Sequence, residues 1–129
     1  MQTKNLLVVD DSRMVRKIIS VSLRHEKHIK LYEAASGLEA LDTLMETDID
    51  LIFTDINMPN MDGLELIRRC KEDERLKNIP IIVITTEDRI EDRERALEIG
   101  ATGFVTKPLD RESIISMTSS MIQPEESEL

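Results

Sequence analysis

The run LLVVDDSR, residues 6–13, sets four consecutive apolar residues directly against two adjacent carboxylates, Asp10 and Asp11. An unbroken apolar run of this length is typical of a strand buried on both faces of a parallel sheet. One acidic residue after such a strand can cap the next helix, but two neighbouring carboxylates repel each other. The rest of the chain must therefore supply whatever makes this pair tolerable.

Strand and helix patterns alternate along the chain. Polar and apolar residues alternate in Ile29–Ala34, as in a half-covered edge strand, and apolar runs recur at Ile49–Phe53, Ile81–Ile84 and, more weakly, Phe104–Thr106. Helical periodicity fills the segments between and after these runs. The pattern predicts a (βα)5 order in the α/β class, a doubly wound, parallel, five-stranded sheet with helices on both faces.

Local signals mark several helix ends and faces. Asp62 and Asp110 are expected N-caps of the third and fifth helices, and Gly100 is an expected stop of the fourth. Apolar stripes at helical spacing are expected to face the sheet. They comprise Met14, Val15, Ile18, Ile19 and Val21 in the first helix, Leu38, Leu41, Leu44 and Met45 in the second, and Ile90, Ala96, Leu97 and Ile99 in the fourth.

Composition limits the class of protein. The 129 residues suffice for one domain, and 40% apolar residues fit a globular chain. With 17 basic and 26 acidic residues the formal net charge is −9, which argues against nucleic acid as a partner. No apolar run approaches the roughly 20 residues of a membrane helix, and the polar N-terminus lacks a signal-peptide core.

Cysteine usage and the end of the chain give two further expectations. A lone Cys70 can form no internal disulfide, which is consistent with a reducing, cytoplasmic setting. We expect one domain over residues 1–122, followed by an acidic, frayed tail over residues 123–129.

Polar residues recur at the carboxyl ends of the predicted strands. They are Asp10, Asp11, Asp55, Thr85 and Lys107. Each alone has an ordinary explanation, since an aspartate after a strand is usually a cap or turn former and a lone lysine is usually a solvated surface charge. Ligands of doubly wound sheets, however, gather beyond the carboxyl ends of the strands. We therefore expect these five side chains to share one pocket.

The chemistry of that pocket suggests a metal and a phosphoryl group. Three carboxylates need more compensating charge than Lys107 provides, and oxygen ligands without Cys or His favour Mg²⁺ or Mn²⁺. A divalent cation beside a carboxylate, a lysine and a hydroxyl can bind a phosphoryl group. Asp55 could then be the nucleophile that forms an acyl phosphate.

Four motifs give a specific resemblance. The stretches VVDDS, DINMPNMDG, ITTED and FVTKP follow one another at family-like spacing between residues 5 and 122. In these stretches the chain resembles the receiver domain of two-component response regulators, in particular the CheY-like single-domain type. The resemblance implies the strand order 2-1-3-4-5 and leaves open whether the chain is a stand-alone regulator or a domain of a longer one.

The resemblance also implies roles for individual residues. The Mg²⁺ ligands would be Asp10 (mainly through water), Asp11, Asp55 and the backbone carbonyl of Asn57. Thr85 and Lys107 would contact the phosphoryl group on Asp55, and Thr85 and Phe104 would form the switch. Phe104 replaces the tyrosine of CheY, so a phenolic hydrogen bond is lost. Thr86 stands where the family often has alanine or glycine, and the Lys107–Pro108 bond is often cis in the family.

The implied function is a phosphorylatable switch. A histidine kinase or phosphotransfer protein would donate the phosphoryl group to Asp55 in a Mg²⁺-dependent reaction. The surface formed by the fourth helix, fifth strand and fifth helix would then change and bind a downstream protein. Such a chain catalyses only its own phosphorylation and dephosphorylation, in the cytoplasm, with no nucleic acid or membrane as partner.

Two alternatives stay open on sequence. A metal-dependent phosphatase of the haloacid dehalogenase type also uses an aspartyl nucleophile. That family has the motif Asp-x-Asp-x-Thr on its first strand, however, where this chain has DDSRM. A non-phosphorylated pseudo-receiver would commonly lack one of the five strand-end groups, and none is missing.

Charged helices allow two interpretations. The first helix carries Arg13, Arg16, Lys17 and Arg24, which could dock an acidic partner such as a histidine kinase or simply form a solvated face. The fourth helix has spaced pairs such as Glu91–Arg95, which suggest an exposed, ion-paired helix first and a partner surface second.

Overall fold

A computed structural model describes residues 3–58 and 60–122 of the chain. Within these ranges, strands and helices alternate without exception. They are β1 (Lys4–Val9), α1 (Arg13–Leu23), β2 (Ile29–Ala34), α2 (Gly37–Glu46), β3 (Leu51–Asp55), α3 (Gly63–Glu72), β4 (Ile81–Thr85), α4 (Ile90–Ile99), β5 (Gly103–Thr106) and α5 (Arg111–Met121). The predicted (βα)5 order is confirmed, and the predicted acidic tail lies outside the described residues.

The sheet is parallel throughout, with strand order β2-β1-β3-β4-β5. This is the order that the family resemblance implies. The third strand differs from its predicted bounds, Ile49–Phe53, because Ile49 is buried just before the strand and the ladder continues to Asp55. The buried apolar run and the hydrogen-bonded strand therefore cover different residues, and the last residue of the strand is Asp55.

Two aliphatic layers enclose the sheet. One layer packs α1 and α5 against one face through residues such as Ile19 and Ile114. The other packs α2, α3 and α4 against the opposite face through residues such as Leu44 and Leu66. Phe53 is the largest fully buried side chain. Strands covered on both faces need apolar residues at consecutive positions, which explains the unbroken apolar runs.

Several residues of the predicted apolar stripes face outward. In α1, Ile19 and Leu23 are buried, whereas Met14 is 72% exposed. The other outward-facing members are Ile18, Val21, Leu38, Met45, Ile90 and Leu97. Periodicity identifies residues that share a helix face, but a helix resting on a sheet buries only a narrow part of that face.

Capping explains where most helices begin and end. Side-chain oxygens of Asp62 and Asp110 accept backbone N–H bonds at the starts of α3 and α5, as predicted. Gly100, with φ of 127°, ends α4 in a conformation that favours glycine, also as predicted. None of the helices in residues 3–58 and 60–122 is long and apolar enough to cross a membrane.

Gly63 allows the first turn of α3 to lie against the end of β3. A Cβ at this position would stand 2.1 Å from the backbone oxygen of Asp55, and the Gly63 N–H donates to the Ile56 carbonyl at 2.7 Å. The neighbour is backbone, so it cannot turn aside as a flexible side chain could. Glycine here therefore fixes the position of the segment that carries Asp55.

We predict that Gly63→Ala lowers the free energy of unfolding by about 1–3 kcal/mol, because the new methyl group must displace backbone. Urea unfolding followed by circular dichroism measures the change. Gly103→Ala is the matched control, since its Cβ would meet only side-chain atoms, of Ile82 and Met117, at ordinary contact distances of 3.5 Å or more. Equal effects of the two substitutions would contradict this account of Gly63.

Candidate functional site

The central strands end level with one another at the carboxyl edge of the sheet. Asp10 follows β1 directly, and Asp55 is the last residue of β3. Because β1 and β3 pair with Val9 opposite Thr54, Asp10 and Asp55 stand side by side. The strand order changes direction between these two strands, which is where doubly wound sheets bind ligands.

Three carboxylates meet at this position. One oxygen from each of Asp10, Asp11 and Asp55 lies within 4.8 Å of the other two. Asp10 is fully buried, Asp55 is half-buried and Asp11 is exposed. The cluster therefore has a buried side within the fold and an open side facing solvent.

Burial makes this cluster electrostatically costly. It raises the pKa of Asp10 to about 6, an effect that the N–H of Ser12 reduces and the Asp55 charge reinforces. Burial also raises the pKa of Asp55, while the Lys107 ammonium and the Ile56 N–H act in the opposite direction. Both carboxyls thus hold protons more tightly than exposed aspartates do.

The donor set fits a divalent cation. The Asp10 Oδ1 accepts a hydrogen bond from the Ser12 N–H at 2.8 Å, but its buried Oδ2 has no hydrogen-bond partner among the residues that the structure describes. A buried carboxylate oxygen without such a partner is suited to contact a positively charged group. Three carboxylates with oxygen donors are the ligands that hard divalent cations prefer.

The fourth and fifth strands bring a hydroxyl and an ammonium to the same edge. Asp55 pairs with Ile84 across β3 and β4, so buried Thr85 lies one residue further along than Asp55. The N–H of Lys107 donates to the Thr85 carbonyl at 2.7 Å, which fixes the start of the Lys107 side chain beside β4. The Lys107–Pro108 peptide bond is cis.

A pocket of about 220 Å³ opens over these residues. Its polar lining comprises Asp55, Asn57, Thr85, Thr86, Arg89 and Lys107. The Thr85 hydroxyl donates to the Thr86 carbonyl at 3.4 Å. All five predicted strand-end residues, and Asn57, therefore lie at one site, while their individual roles stay predictions.

The predicted switch residue Phe104 lies away from this pocket. It belongs to β5, where it pairs with Val83, and its ring is half-buried. The guanidinium of Arg93, on α4, lies over the ring with its central carbon 4.5 Å from the ring centroid. A cation–π contact thus joins α4 to β5 where a tyrosine hydroxyl is absent.

Two arginines at the site were not predicted. Arg89 lines the pocket, and its position just before α4, beyond the ITTED motif, gave no sequence signal. The sequence indicates for Arg16 only a charge on the docking or solvated face of α1, but its guanidinium donates to the Asp10 carbonyl at 2.7 Å and to Glu33 at 2.9 Å. It braces the turn that carries the acidic pair.

Ion pairing on α4 also differs from the prediction. Among the residues that the structure describes, the pair at this helix joins Arg89 to Asp92 at 3.1 Å rather than Glu91 to Arg95. The helix is exposed on most of its surface, with Ala96 buried.

Comparison with known proteins assigns this architecture to a family. Residues 6–119 match the family model described as response regulator receiver domain. Chemotaxis protein CheY1 of Helicobacter pylori is 41% identical over 104 residues, which are 80% of this chain and 84% of CheY1. This relative is similar to the chain over most of both lengths.

Solved structures agree with the sequence comparison. Chemotaxis protein CheY4 of Vibrio cholerae matches with a TM-score of 0.85 and 31% identity, over 93% of this chain and 99% of that chain. The receiver domain of sensor histidine kinase PA1611 from Pseudomonas aeruginosa matches with a TM-score of 0.83 over 92% and 97% of the two chains. At 24% identity the second likeness concerns the fold; that structure has a magnesium ion coordinated in its active site cleft.

We predict that Asp10→Asn stabilises the metal-free protein. Since folding raises the pKa of Asp10 from 3.8 to about 6, the folded state binds a proton that the unfolded state lacks between these values, and stability falls as pH rises through this window. At pH 7.5 in EDTA, removing the buried charge should raise the free energy of unfolding by about 1–3 kcal/mol. The gain over wild type should shrink toward pH 4.

Urea titrations at both pH values measure this difference. Mg²⁺ should stabilise wild type more than Asp10→Asn, because the variant lacks one carboxylate of the cluster. Asp48→Asn, at an exposed position, is the control and should behave as wild type. A variant less stable than wild type at pH 7.5 in EDTA would contradict the electrostatic account.

Proposed function

The chain belongs to the response regulator receiver domain family of two-component signalling, and we propose that the Asp55 carboxylate is its phosphoacceptor. The observation that carries the proposal is the convergence of Asp55, Thr85 and Lys107 on one pocket beside the acidic cluster. We further propose that the receiver domain occupies residues 1–122 and works in the cytoplasm.

Burial distinguishes Asp55 from the other two carboxylates. Asp10 is fully buried, and one of its oxygens is engaged by the Ser12 N–H. Asp11 does not line the pocket that contains Lys107. Asp55 does line it and is half-buried; its Oδ1 accepts from the Ile56 N–H at 2.8 Å, so a phosphorus atom would approach the carboxylate from the open side of the pocket. Asp55 is thus the carboxylate best placed to act as nucleophile.

The transfer forms one bond and breaks one. An Asp55 oxygen forms the new O–P bond as the bond from phosphorus to the donor breaks, and the bonding electrons leave with the donor, a histidine imidazole or an acetate. Hydrolysis returns Asp55 and releases inorganic phosphate. The chain would therefore catalyse only its own phosphorylation and dephosphorylation, which is not turnover of a separate substrate.

The ligands we propose for Mg²⁺ are Asp10, Asp11, Asp55 and the backbone carbonyl of Asn57. When bound, the cation supplies positive charge that neutralises the transferring oxygens. Mn²⁺ has the same ligand preference and could replace it in vitro. Lys107 adds an ammonium in the pocket that Asp55 lines, and its lowering effect on the Asp55 pKa supports that proximity.

Thr85 is proposed to carry the signal away from Asp55. Its hydroxyl bonds to the adjacent Thr86 carbonyl in a weak, long contact, so a phosphoryl oxygen could capture it. The β4–α4 segment would then shift toward Asp55. Thr85 pairs with Thr106 on β5, two residues beyond Phe104, so the shift reaches the strand that bears the aromatic ring.

The face formed by α4, β5 and α5 is proposed to bind the downstream protein. Phe104 borders a groove of about 520 Å³ whose other side is formed by α5 residues such as Ser113 and Met117. Arg93 covers the ring from α4. Movement of the ring would therefore change the groove and the position of α4 together.

The outer face of α1 is proposed to meet the histidine kinase or phosphotransfer protein. Met14, Ile18 and Val21 are exposed at helical spacing on one side of α1. Lys17 is exposed on the same helix within a chain whose net charge is −9. An apolar strip beside basic residues suits an amphipathic helix with acidic flanks.

We predict that acetyl phosphate labels wild type with one phosphoryl group per chain in the presence of Mg²⁺. Asp55→Asn should carry no label above background, because an amide is not a nucleophile of this kind, and EDTA should abolish labelling of wild type. Intact-protein mass spectrometry measures the stoichiometry. Asp42→Asn, an exposed aspartate of α2, is the matched control.

Two results would contradict the proposal. Full labelling of Asp55→Asn would move the acceptor to another residue. Sustained hydrolysis of p-nitrophenyl phosphate by wild type would favour the haloacid dehalogenase type of phosphatase instead. A pseudo-receiver would take up no phosphoryl group from acetyl phosphate, either with Mg²⁺ or with EDTA.

We predict that phosphorylation moves Phe104 while Phe53 stays fixed. The chain has two phenylalanines, so 4-fluorophenylalanine labelling gives two ¹⁹F NMR signals, and the fully buried Phe53 is an internal control. Acetyl phosphate with Mg²⁺ should shift only the Phe104 signal, and Asp55→Asn should show no shift. Arg93→Gln should shift the Phe104 signal before phosphorylation, because it removes the cation over the ring. An unchanged Phe104 signal in fully labelled protein would exclude this ring as the switch.

A further inference from the structure

Arg89 gives the phosphorylation pocket a second cation. It lines the same pocket as Asp55 and Lys107, and it approaches from the β4–α4 connection, whereas Lys107 approaches from β5. Its side chain is 48% exposed, which places it at the rim rather than in the floor of the pocket. A guanidinium can donate two parallel hydrogen bonds to a phosphoryl group, a geometry that an ammonium lacks.

Before phosphorylation, Arg89 has another partner. Its Nη1 lies 3.1 Å from Oδ2 of Asp92, one turn along α4. Surface pairs of this kind between adjacent turns contribute little to stability, so the contact can be exchanged. The Arg89 guanidinium therefore lies at the rim of the pocket, where its contact with Asp92 is weak enough to be exchanged.

The charge of the site changes on phosphorylation in a way that Arg89 matches. With a divalent cation and Lys107 present, three positive charges balance the three carboxylates. A phosphoryl group converts the single charge of Asp55 into nearly two, which leaves the site about one positive charge short. Arg89 is the additional cationic side chain in the described lining of the pocket.

We propose that Arg89 is a phosphoryl-binding residue that exchanges Asp92 for the phosphoryl group on Asp55. This inference rests on the proposed function, since it requires Asp55 to be the acceptor. The exchange draws the first turn of α4 toward the pocket, because Arg89 immediately precedes that helix. Asp92 acts as the competitor that keeps the guanidinium away from the empty site.

The test compares affinity for beryllium fluoride, a tetrahedral stand-in for a phosphoryl group on a carboxylate oxygen, in the presence of Mg²⁺. Binding is measured by ¹⁹F NMR of the bound fluorides, and the Arg89 Nε–H signal is followed in ¹⁵N-arginine protein. Arg89→Gln should weaken binding about tenfold, because charge-assisted hydrogen bonds are lost. Asp92→Asn should strengthen binding by about two- to threefold, because the competitor is removed.

Arg95→Gln is the matched control, since it removes the same charge from an exposed position on the same helix. It should bind as wild type does. In wild type, beryllium fluoride should shift the Arg89 Nε–H signal, and Asp92→Asn should shift it before any ligand is added.

The outcomes distinguish a failure of the proposed function from a failure of the proposed role of Arg89. Wild type that fails to bind beryllium fluoride, or a variant Asp55→Asn that binds it fully, would overturn the proposed function. Wild-type binding with Arg89→Gln equal to Arg95→Gln would overturn the role of Arg89 alone. Weaker binding by Asp92→Asn would show that Asp92 supports the guanidinium rather than competing for it, and would overturn the exchange.

Discussion

Repulsion among three carboxylates is the constraint on which the rest of this structure depends. Asp10, Asp11 and Asp55 bring oxygens within 4.8 Å of one another. Two unit charges about 5 Å apart repel by roughly 3 kcal/mol at an effective dielectric constant near 20. Packing that merely stabilised the fold would separate these groups. The surrounding structure instead holds them together, which is a feature of a binding site for positive charge rather than of a well-packed core.

Backbone interactions hold the acids where their mutual repulsion would move them apart. Arg16 donates to the Asp10 carbonyl, and the Ser12 N–H holds one oxygen of the Asp10 side chain. On the other strand, Gly63 lets α3 press against the backbone of Asp55. These contacts act on the main chain and on one oxygen of the Asp10 carboxylate, and its buried Oδ2 has no hydrogen-bond partner among the described residues. In Asp10, the main chain and Oδ1 therefore hold the residue in position, while Oδ2 is the atom that could contact a cation.

The sequence predicts the fold and the strand-end residues well for a geometric reason. A buried parallel strand leaves an apolar run that ends abruptly, so the residue after it is visible in the sequence, and parallel strands place all such residues at one edge. Arg89 could not be found in this way, because it reaches the pocket from a loop through a long side chain. The exposure of Met14 was also mispredicted, since helical periodicity does not tell how wide a stripe the sheet covers.

Helix α4 connects the two parts of the molecule that the proposed switch must join. Arg89, just before its first residue, lines the pocket, and Arg93, one turn further, lies over Phe104. The N–H of Arg93 donates to the Arg89 carbonyl at 3.1 Å, so the two side chains are attached to the same turn of backbone. Few buried contacts anchor this helix, where Ala96 is its buried residue. A weakly anchored helix that carries one cation at the rim of the acidic site and another over an aromatic ring can move as a unit, so that a change in charge at one end would alter the contact at the other.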